Sequence, residues 1–303
     1  MSPYDLHCHS VCSDGELPPA ALVARASARG VQVLALSDHD SVAGIAEAQA
    51  AAAVHGLTLV PAVEISVAYQ KLEIHIVGLG VDPASDMLVH GLQAQQARRW
   101  RRAEAMAERL AKDGVTDLMP ALRARFPQAA PTRSHFAQLL VERGLVRDNE
   151  RAFARYIGRK GSSYVPAEWC SLADGVQWIR AAGGIPVLAH PGRYGLSGSG
   201  LERLLDEFVA AGGQAMELSY PQLFPKEAQK LARSARKRGL WASQGSDFHS
   251  PAQSWTELGK MPPQPPEVVT VWQARPELFP LPPTKDMPST MLEPHTMAQD
   301  AQP

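Results

Sequence analysis

Short apolar runs alternate with amphipathic helical patterns near the start of the chain and again over its last half. The apolar runs, which have the length and the β-branched content of buried strands, are residues 31–36, 57–63, 185–189, 214–218 and 240–244. The segments with helical patterns are residues 18–30, 41–55, 172–182, 201–211 and 226–238. Strands that alternate with helices form parallel βα units, so the pattern predicts an α/β fold.

Two regions depart from this alternation. Residues 65–79 predict a β-hairpin, because two strand-like segments flank Gln70 and Lys71. Helical patterns with no strand between them occupy residues 85–112, 117–125, 133–143 and 148–157. The predicted division is an α/β domain at residues 1–95 and 165–265, a helical insertion at residues 96–164 and a Pro-rich C-terminal tail at residues 266–303.

The C-terminal tail is rich in proline. Beyond Lys260 the chain holds 11 of its 25 prolines. We predict that residues 268–272 pack against the α/β domain and that the chain from Thr284 onward is disordered, because it has few apolar residues to bury.

Composition narrows the class of protein. With 303 residues, of which 45% are hydrophobic and 20% charged, the chain can form a large globular domain. A net charge of −1 favours neither a duplex-DNA nor a membrane partner. No apolar run reaches the ~18 residues of a membrane helix, and the start of the sequence does not resemble a signal peptide, so we expect a cytoplasmic protein. The oligomeric state stays open.

The cysteines do not predict a disulfide framework or a zinc knuckle. There are three, Cys8, Cys12 and Cys170, which is too few and too irregular a set. In a strand Cys8 points away from its neighbours His7 and His9, so we interpret it as a small buried apolar residue.

Histidines and carboxylates occur where the predicted strands end. Alternate residues of a strand share a face, so Asp5, His7 and His9 project together, and two imidazoles held this way can chelate a metal ion. The candidate ligands are His7, His9, Asp14, His39, Glu64, His75, His190, Asp247 and His249. The carboxyl ends of parallel strands form the active face of α/β folds, so these side chains are expected to converge.

Each motif alone has a simpler interpretation. His39 between two aspartates is typical of a surface turn, His190 before a proline of a loop start, and the pair Asp247 and His249 of a helix cap. Together they favour a metal site. Ligands without thiolates suit Mn²⁺, Fe²⁺, Zn²⁺ or, less well, Mg²⁺. Nine candidates exceed the needs of one ion, so we predict two or three ions that activate water and hold a phosphoryl group for in-line displacement.

These motifs resemble those of a known superfamily. The matching segments are Asp5-Leu6-His7-Cys8-His9-Ser10, Ser37-Asp38-His39-Asp40, Glu64, His75, His190-Pro191 and Ser246-Asp247-Phe248-His249. With them the chain resembles the PHP (polymerase and histidinol phosphatase) superfamily of metal-dependent phosphoesterases over residues 1–90 and 165–260. The resemblance implies a distorted (β/α)₇ TIM-like barrel, the PHP fold, with a trinuclear metal site.

The resemblance also implies roles for individual residues. The implied sets are His7, His9, Glu64 and Asp247 for one ion, Glu64, His75 and His190 for a second, and Asp14, His39 and His249 for a third. Asp5, Asp38 and Asp40 match the motifs, but we expect them to support the ligands through hydrogen bonds.

The helical insertion is basic. From Arg98 to Lys160 there are 13 arginines and 2 lysines against 7 acidic residues, a net charge of +8. Arginines on solvated helix faces are common, so most of these side chains need no function. An electropositive cover over a metal site would nevertheless attract a phosphate ester with several charges.

Specific side chains in and near the insertion are candidates for substrate binding. Thr132 is a predicted helix N-cap, and backbone amides at a helix start bind phosphate. The candidates are Arg102, Arg133, Ser134, His135, Lys160 and Arg193. Phe153 and Tyr156 could stack on a base, although packing in the core is the more common role of such residues.

With this insertion the chain is most similar to the PHP branch that removes the 3′-phosphate of nucleoside 3′,5′-bisphosphates. We therefore expect a phosphoric monoester hydrolase that releases nucleoside 5′-monophosphate and phosphate through attack of a metal-activated hydroxide, with Mn²⁺ as the favoured ion. His135 is the candidate proton donor. The alternatives are a 5′–3′ exonuclease on short RNA, a histidinol phosphatase, and a non-catalytic metal-binding module, which the complete ligand set disfavours.

Overall fold

Seven strands form a nearly closed ring in the computed structural model, which describes residues 1–282. With one further strand outside the ring, the sheet has eight strands: β1 (Tyr4–Asp5), β2 (Val33–Leu36), β3 (Thr58–Tyr69), β4 (Leu72–Leu79), β5 (Cys170–Ser171), β6 (Ile185–Leu188), β7 (Ala215–Ser219) and β8 (Trp241–Gln244). Their order in the ring is β1-β2-β3-β4-β6-β7-β8, and β5 adds to β3 outside it. The ring closes where the Leu6 N–H donates to the Gln244 carbonyl at 3.1 Å and the Asp247 N–H donates to the His7 carbonyl at 2.8 Å.

The strand directions confirm an α/β barrel with one distortion. Strand β4 is antiparallel to both of its neighbours, β3 and β6, whereas the other strand pairs of the sheet are parallel. The reversal follows from the tight turn at Gln70, which has a φ of 53°. A two-residue turn can join only antiparallel strands.

The helices lie close to their predicted positions. They are α1 (Pro19–Ala28), α2 (Ile45–His55), α3 (Asp86–Lys112), α4 (Leu118–Arg125), α5 (Arg133–Glu142), α6 (Asn149–Ala152), α7 (Leu172–Ala181), α8 (Gly198–Ala210), α9 (Pro225–Arg238) and α10 (Val271–Ala274). A π-helical turn, Phe153–Ile157, follows α6 directly. Helix α2 ends at Gly56, whose φ of 64° is the left-handed conformation that a glycine adopts without strain.

The expected end of the third strand was wrong. We expected a strand that stopped at Glu64, followed by a separate strand of the hairpin. The structure has a single strand, β3, in which Glu64 lies between buried Val63 and Ile65 and pairs with Val77. A carboxylate is tolerated inside this strand because histidine side chains surround it, as described below.

Helix α3 connects two hydrophobic cores. Its first half places Leu88 and Leu92 in a core between the sheet and the helices around it. Its second half places Ala103, Met106 and Leu110 in a separate core of the helical insertion. The proposed boundary between residues 95 and 96 therefore falls within a continuous helix, and the division into domains stays a prediction.

The start of the Pro-rich segment packs on the barrel, as predicted. Val268 and Val271 are buried, and the Trp272 ring stacks on Tyr4 with the ring centroids 4.4 Å apart. The part from Thr284 onward lies outside the described residues. Among residues 1–282, no helix has the length and apolarity that crossing a membrane requires.

Candidate metal centre

The segments that follow the strands converge at one end of the barrel and carry a cluster of ligand-type side chains. All nine residues predicted from the sequence belong to it. Their donor atoms fall into four overlapping groups within 4.8 Å: His9, Asp14, His39 and His249; His7, Glu64 and His190; His7, His9 and Asp247; and His39, Glu64 and His75. These groups were scattered over more than 240 positions of sequence, and the closed ring brings them together.

Glu64, on β3, lies at the centre of the cluster. Its two carboxylate oxygens face five imidazoles. The contacts to Oε1 are His7 Nε2 at 3.3 Å, His75 Nδ1 at 3.0 Å and His190 Nε2 at 3.2 Å, and those to Oε2 are His39 Nδ1 at 2.8 Å and His9 Nε2 at 3.4 Å. A carboxylate in this position can bridge two ions.

The donor atoms fit divalent ions better than they fit each other. Several are buried and make no hydrogen bond within the described residues, because contacts such as His39 Nδ1 to Glu64 Oε2 are close but lack hydrogen-bond geometry. Such a state is costly unless another partner is bound. These atoms include Asp14 Oδ1, His39 Nδ1, Glu64 Oε2, His75 Nδ1 and His190 Nδ1. In addition, His7 Nε2 and His9 Nε2 face each other at 3.1 Å. The His7 ring bonds the Glu217 carboxylate through Nδ1 at 2.7 Å, which directs Nε2 and its lone pair toward the cluster.

The protonation states of the carboxylates and of His9 suit metal binding. Burial alone would raise the pKa of the Glu64 carboxyl, but His75, His39 and His7 hold that pKa well below its usual value. The pKa values of Asp14 and Asp247 are lowered in the same way against the effect of burial, by neighbouring histidines. Burial, with His249 and His39 beside it, lowers the pKa of His9 to about 3. At neutral pH the carboxylates are therefore charged and the His9 ring is neutral, as ligands must be. Against the effect of burial, Glu64 raises the pKa of His75 to about 10 and Asp14 raises that of His249 to about 9, so a bound ion would displace a proton from each of these rings.

The three motif aspartates support the cluster from outside. Asp5 accepts hydrogen bonds from the Ser246 and Gly259 amides at 2.8 and 2.9 Å, which orders the segment that carries Asp247. Asp38 accepts from the Ser10 amide and hydroxyl and from the Ser13 hydroxyl.

Asp40 connects the cluster to the insertion. Its Oδ2 lies 2.7 Å from Nη2 of Arg99, a buried side chain of α3, and its Oδ1 accepts from the Ser66 amide at 3.0 Å. The pair therefore ties the helix of the insertion to the strand that carries Glu64.

Three residues of the site were missed in the sequence. Glu217 on β7 accepts from the His7 ring and also from the His190 amide at 2.6 Å. The sequence feature that could have identified Glu217 is that it is the only carboxylate in the apolar strand β7. Glu73 lies two residues before His75 and thus on the same face of β4. Arg99 gave no distinguishing signal among the arginines of its helix.

A cavity of about 230 Å³ joins the cluster to the insertion. Its lining contains seven of the nine cluster residues together with Glu73, Arg99, Arg102, Thr132, Arg133, Ser134, Phe153 and Arg193. Four predicted substrate-binding residues therefore face the same space as the cluster: Arg102, Arg133, Ser134 and Arg193. Thr132 is the N-cap of α5, as predicted.

Among the other expectations about the insertion, that for Lys160 differs from the structure and that for Tyr156 agrees with it. Lys160 is exposed and does not line the cavity, because it lies in a turn where the Gly161 N–H donates to the Gly158 carbonyl at 2.8 Å. Tyr156 is buried in the core of the insertion, so core packing is its observed role. Phe153 lines the cavity.

The expectation that His135 contacts substrate is corrected by its surroundings. Its ring is 1% exposed and stacks on Phe126 with the centroids 4.0 Å apart. Its Nδ1 accepts from the Thr132 N–H at 3.1 Å and its Nε2 lies 3.0 Å from the Ser13 carbonyl, to which it donates. Both ring nitrogens are engaged, and burial lowers the pKa of His135 to about 4. His135 is a capping residue that joins α5 to the loop before Asp14.

Acid should destabilise the protein through His135. Its folded pKa of about 4 lies below the ordinary 6.5, so the stability contributed by the neutral ring is complete above pH 6.5 and is lost as the pH falls toward 4. Between pH 6.5 and 5 we expect a loss of about 2 kcal/mol in the free energy of unfolding. Urea titrations should show that this part of the loss disappears in His135→Gln, which accepts a hydrogen bond but does not titrate. The variant His90→Gln, at an exposed position, should behave as wild type. If the free energy of unfolding fell equally with pH in all three proteins, the prediction would be contradicted.

Gly245 should be intolerant of a side chain. A Cβ at this position would lie 2.1 Å from His7 Cβ and 2.7 Å from His7 N. Neither atom can move without shifting a proposed ligand, so Gly245→Ala should cost about 3 kcal/mol of stability and lower the bound metal. Gly198→Ala is the matched control, because no atom lies within 4 Å of its Cβ. Thermal unfolding and metal analysis of both variants check this, and a Gly245→Ala protein with wild-type values would refute it.

Comparisons with known proteins agree with this geometry. Residues 5–157 match the model of the PHP domain family. The chain is 43% identical to a 5′–3′ exoribonuclease of Haemophilus influenzae, over 89% of this chain and 98% of the relative. It is 40% identical to a 3′,5′-nucleoside bisphosphate phosphatase of Chromobacterium violaceum, over 90% of this chain and 96% of the relative.

Two solved structures are also similar. One is an amidohydrolase from Chromobacterium violaceum with bound sulfate and no metal, which has a TM-score of 0.85 and 39% identity and covers 92% of this chain and 98% of its own. The other, from Bifidobacterium adolescentis, is described as a metal-dependent phosphoesterase, with a TM-score of 0.79, 28% identity and coverage of 90% and 94%. The barrel, the converging ligands and these similarities lead to one conclusion: the chain belongs to the PHP domain family.

Proposed function

We propose that this protein is a metal-dependent phosphatase that removes the 3′-phosphate of nucleoside 3′,5′-bisphosphates. The observation that carries the proposal is the shared cavity, in which the ligand cluster faces Arg102, Arg133 and Ser134. The part beside the ligand cluster suits the phosphoryl group that is transferred to water. The part beside Arg102, Arg133 and Ser134 suits a phosphate that is bound but not cleaved. A nucleotide with two phosphates fits both. The similarity to the Chromobacterium violaceum phosphatase supports the same substrate.

We further propose three divalent ions, with Mn²⁺ as the favoured metal. The residues that would hold them are His7, His9, Glu64 and Asp247 for the first, Glu64, His75 and His190 for the second, and Asp14, His39 and His249 for the third. The groups of donor atoms support the first and third sets most directly, and Glu64 contacts both histidines of the second. Bound ions of this kind supply a nucleophilic water at neutral pH and stabilise charge on the phosphoryl group. A cytoplasmic location stays a prediction.

The side chains of the chain itself bind and orient the substrate. Arg133 and Arg102 supply charged donors for the 5′-phosphate, and the free amides at the start of α5 add to them. Arg193 donates to the Asp247 carboxylate and lines the same cavity, so in this proposal it supplies a cation to the scissile phosphate. The bond that breaks joins phosphorus to O3′, and water supplies the oxygen of the released phosphate.

The test is phosphate release by Mn²⁺-loaded protein. Adenosine 3′,5′-bisphosphate should yield adenosine 5′-monophosphate and one phosphate, whereas adenosine 5′-monophosphate should yield none. Protein treated with a chelator serves as the control and should regain activity when Mn²⁺ returns. Loaded protein that releases no phosphate from the bisphosphate would rule the proposal out.

A second candidate is a 5′–3′ exoribonuclease on short RNA, because it breaks the same bond. A cavity of about 430 Å³, lined in part by Gly15 and Glu16, lies beside Asp14 and leaves room for a following nucleotide. The Glu16 N–H donates to the His249 carbonyl at 2.8 Å, so one lining residue contacts a residue of the cluster, although no residue of the cluster lines this cavity. Rates on a 5′-phosphorylated dinucleotide and on the bisphosphate separate the two functions. Histidinol phosphate is a poorer candidate, since its cationic end would face the arginines.

A further inference from the structure

Glu73 is a carboxylate in a cavity that otherwise suits anions. Its Oε1 lies 3.6 Å from His75 Nε2, while its Oε2 lies 3.6 Å from Arg102 Nη1 and 3.5 Å from Arg133 Nη2. One oxygen thus faces the proposed metal ligands and the other faces the proposed phosphate-binding arginines. Glu73 therefore lies between the two functional parts of the cavity.

The contacts of Glu73 leave its oxygens available to a ligand. Charge-assisted hydrogen bonds between nitrogen and a carboxylate are usually 2.7–2.9 Å long, and all three contacts exceed that range. The Glu73 side chain is 23% exposed to the cavity. Its neighbour Arg102 is 9% exposed, and Nη2 of that arginine has no hydrogen-bond partner among residues 1–282. Buried charged groups normally have such partners, so this part of the cavity is suited to a polar ligand.

The substrate class of the proposed function places a ribose here. If the 3′-phosphate lies at the cluster and the 5′-phosphate at Arg102 and Arg133, the sugar between the two phosphates passes beside Glu73. A carboxylate accepts hydrogen bonds and repels phosphate, so its natural partner is a hydroxyl. The free hydroxyl of the ribose in a nucleoside 3′,5′-bisphosphate is the 2′-hydroxyl.

We propose that Glu73 accepts a hydrogen bond from the 2′-hydroxyl of the substrate and thereby selects ribonucleotides over 2′-deoxyribonucleotides. This inference rests on the proposed function, because it uses the positions assigned to the two phosphates. It assigns Glu73 to recognition of the sugar, a role distinct from metal binding and from phosphate binding.

The experiment compares kcat/KM for adenosine 3′,5′-bisphosphate and its 2′-deoxy counterpart. A hydrogen bond to a charged group is worth about 1.5–3 kcal/mol, so wild-type protein should prefer the ribose compound by about 10- to 100-fold. In Glu73→Gln, a neutral acceptor remains and the preference should fall to about 3- to 10-fold. In Glu73→Ala it should fall to about 1.

The ratio of the two substrates separates recognition from general damage. Loss of Glu73 also removes contacts with His75 and the arginines, but that damage lowers both rates together. Ser134→Ala is the control, because it should weaken both substrates and keep the wild-type ratio. Metal analysis of each variant accompanies the kinetics. A wild-type ratio near 1, or a ratio that Glu73→Ala leaves unchanged, would overturn the inference.

A binding measurement distinguishes failure of this inference from failure of the proposed function. Adenosine 5′-monophosphate and its 2′-deoxy form, which the proposed reaction does not cleave, are titrated into Mn²⁺-loaded wild type and Glu73→Ala. Tighter binding of the ribose form that is lost in the variant supports the role of Glu73 even if no phosphate is released. Equal binding of the two forms by wild type contradicts it. Absence of phosphate release from the bisphosphate bears on the proposed function alone.

Discussion

Glu64→Gln should abolish most of the activity while leaving the fold intact. Glutamine has nearly the same volume, but it carries no negative charge and offers one carbonyl oxygen in place of two carboxylate oxygens. The five imidazoles around Glu64 would then face a neutral group, and two proposed metal sets would lose their shared ligand. Loss of a residue that merely supports a ligand costs about 10- to 100-fold, so loss of a bridging ligand should reduce kcat by at least about 100-fold.

The Glu64 prediction needs three measurements. These are the rate of phosphate release, the number of bound metal ions and the circular dichroism spectrum of the purified variant. We expect a lower metal content with an unchanged spectrum. Glu104→Gln, at an exposed position of α3, removes a carboxylate of the same kind and should behave as wild type. Full activity in Glu64→Gln would contradict the assignment of the centre.

Arg133→Met should weaken recognition of the phosphate that is not cleaved. Methionine keeps much of the apolar stem of the side chain but removes the guanidinium that lines the cavity. A hydrogen bond to a charged partner is worth about 1.5–3 kcal/mol. The preference in kcat/KM for adenosine 3′,5′-bisphosphate over adenosine 3′-monophosphate should therefore fall by about 10- to 100-fold.

The Arg133 prediction distinguishes a specific contact from general electrostatic attraction. Arg151→Met removes an exposed arginine from the same insertion and lowers the net charge equally. If the insertion acts only through its overall charge, the two variants should lose the same preference and lose it less at high salt. If Arg133 binds the 5′-phosphate directly, Arg151→Met should keep the wild-type preference.

Much of the site was readable in the sequence because of how a barrel is connected. His39, His190 and Asp247 follow apolar runs, and the ends of successive parallel strands meet on one face whatever the sequence distance between them. Thr132 was readable for a local reason, since an N-cap bonds amides only three residues away. Glu64 was identified as a ligand but placed at a strand end, because a carboxylate in an apolar run is a typical stop signal when its partners are not known.

His135 shows where local patterns fail. It lies in the segment that begins α5 beside Arg133 and Ser134, which line the cavity, yet its own side chain turns into the protein. The direction depends on two partners, the Thr132 amide next to it and the Ser13 carbonyl more than a hundred residues away. The contact with the distant Ser13 carbonyl, which the sequence cannot show, is the one that makes His135 a structural residue.

The sequence pattern alone determined the α/β fold class, the run of helices between the βα units and the set of nine candidate ligands, because periodicity and the order of strand ends are local properties of the chain. The barrel itself was implied by the resemblance to the PHP superfamily. The tertiary structure alone decided which groups share a space. It set Glu64 among five imidazoles, directed His7 through Glu217, and placed Glu73 between the cluster and the arginines. These contacts join residues from different strands and helices, and their distances depend on how the ring closes and how α3 and α5 pack over it.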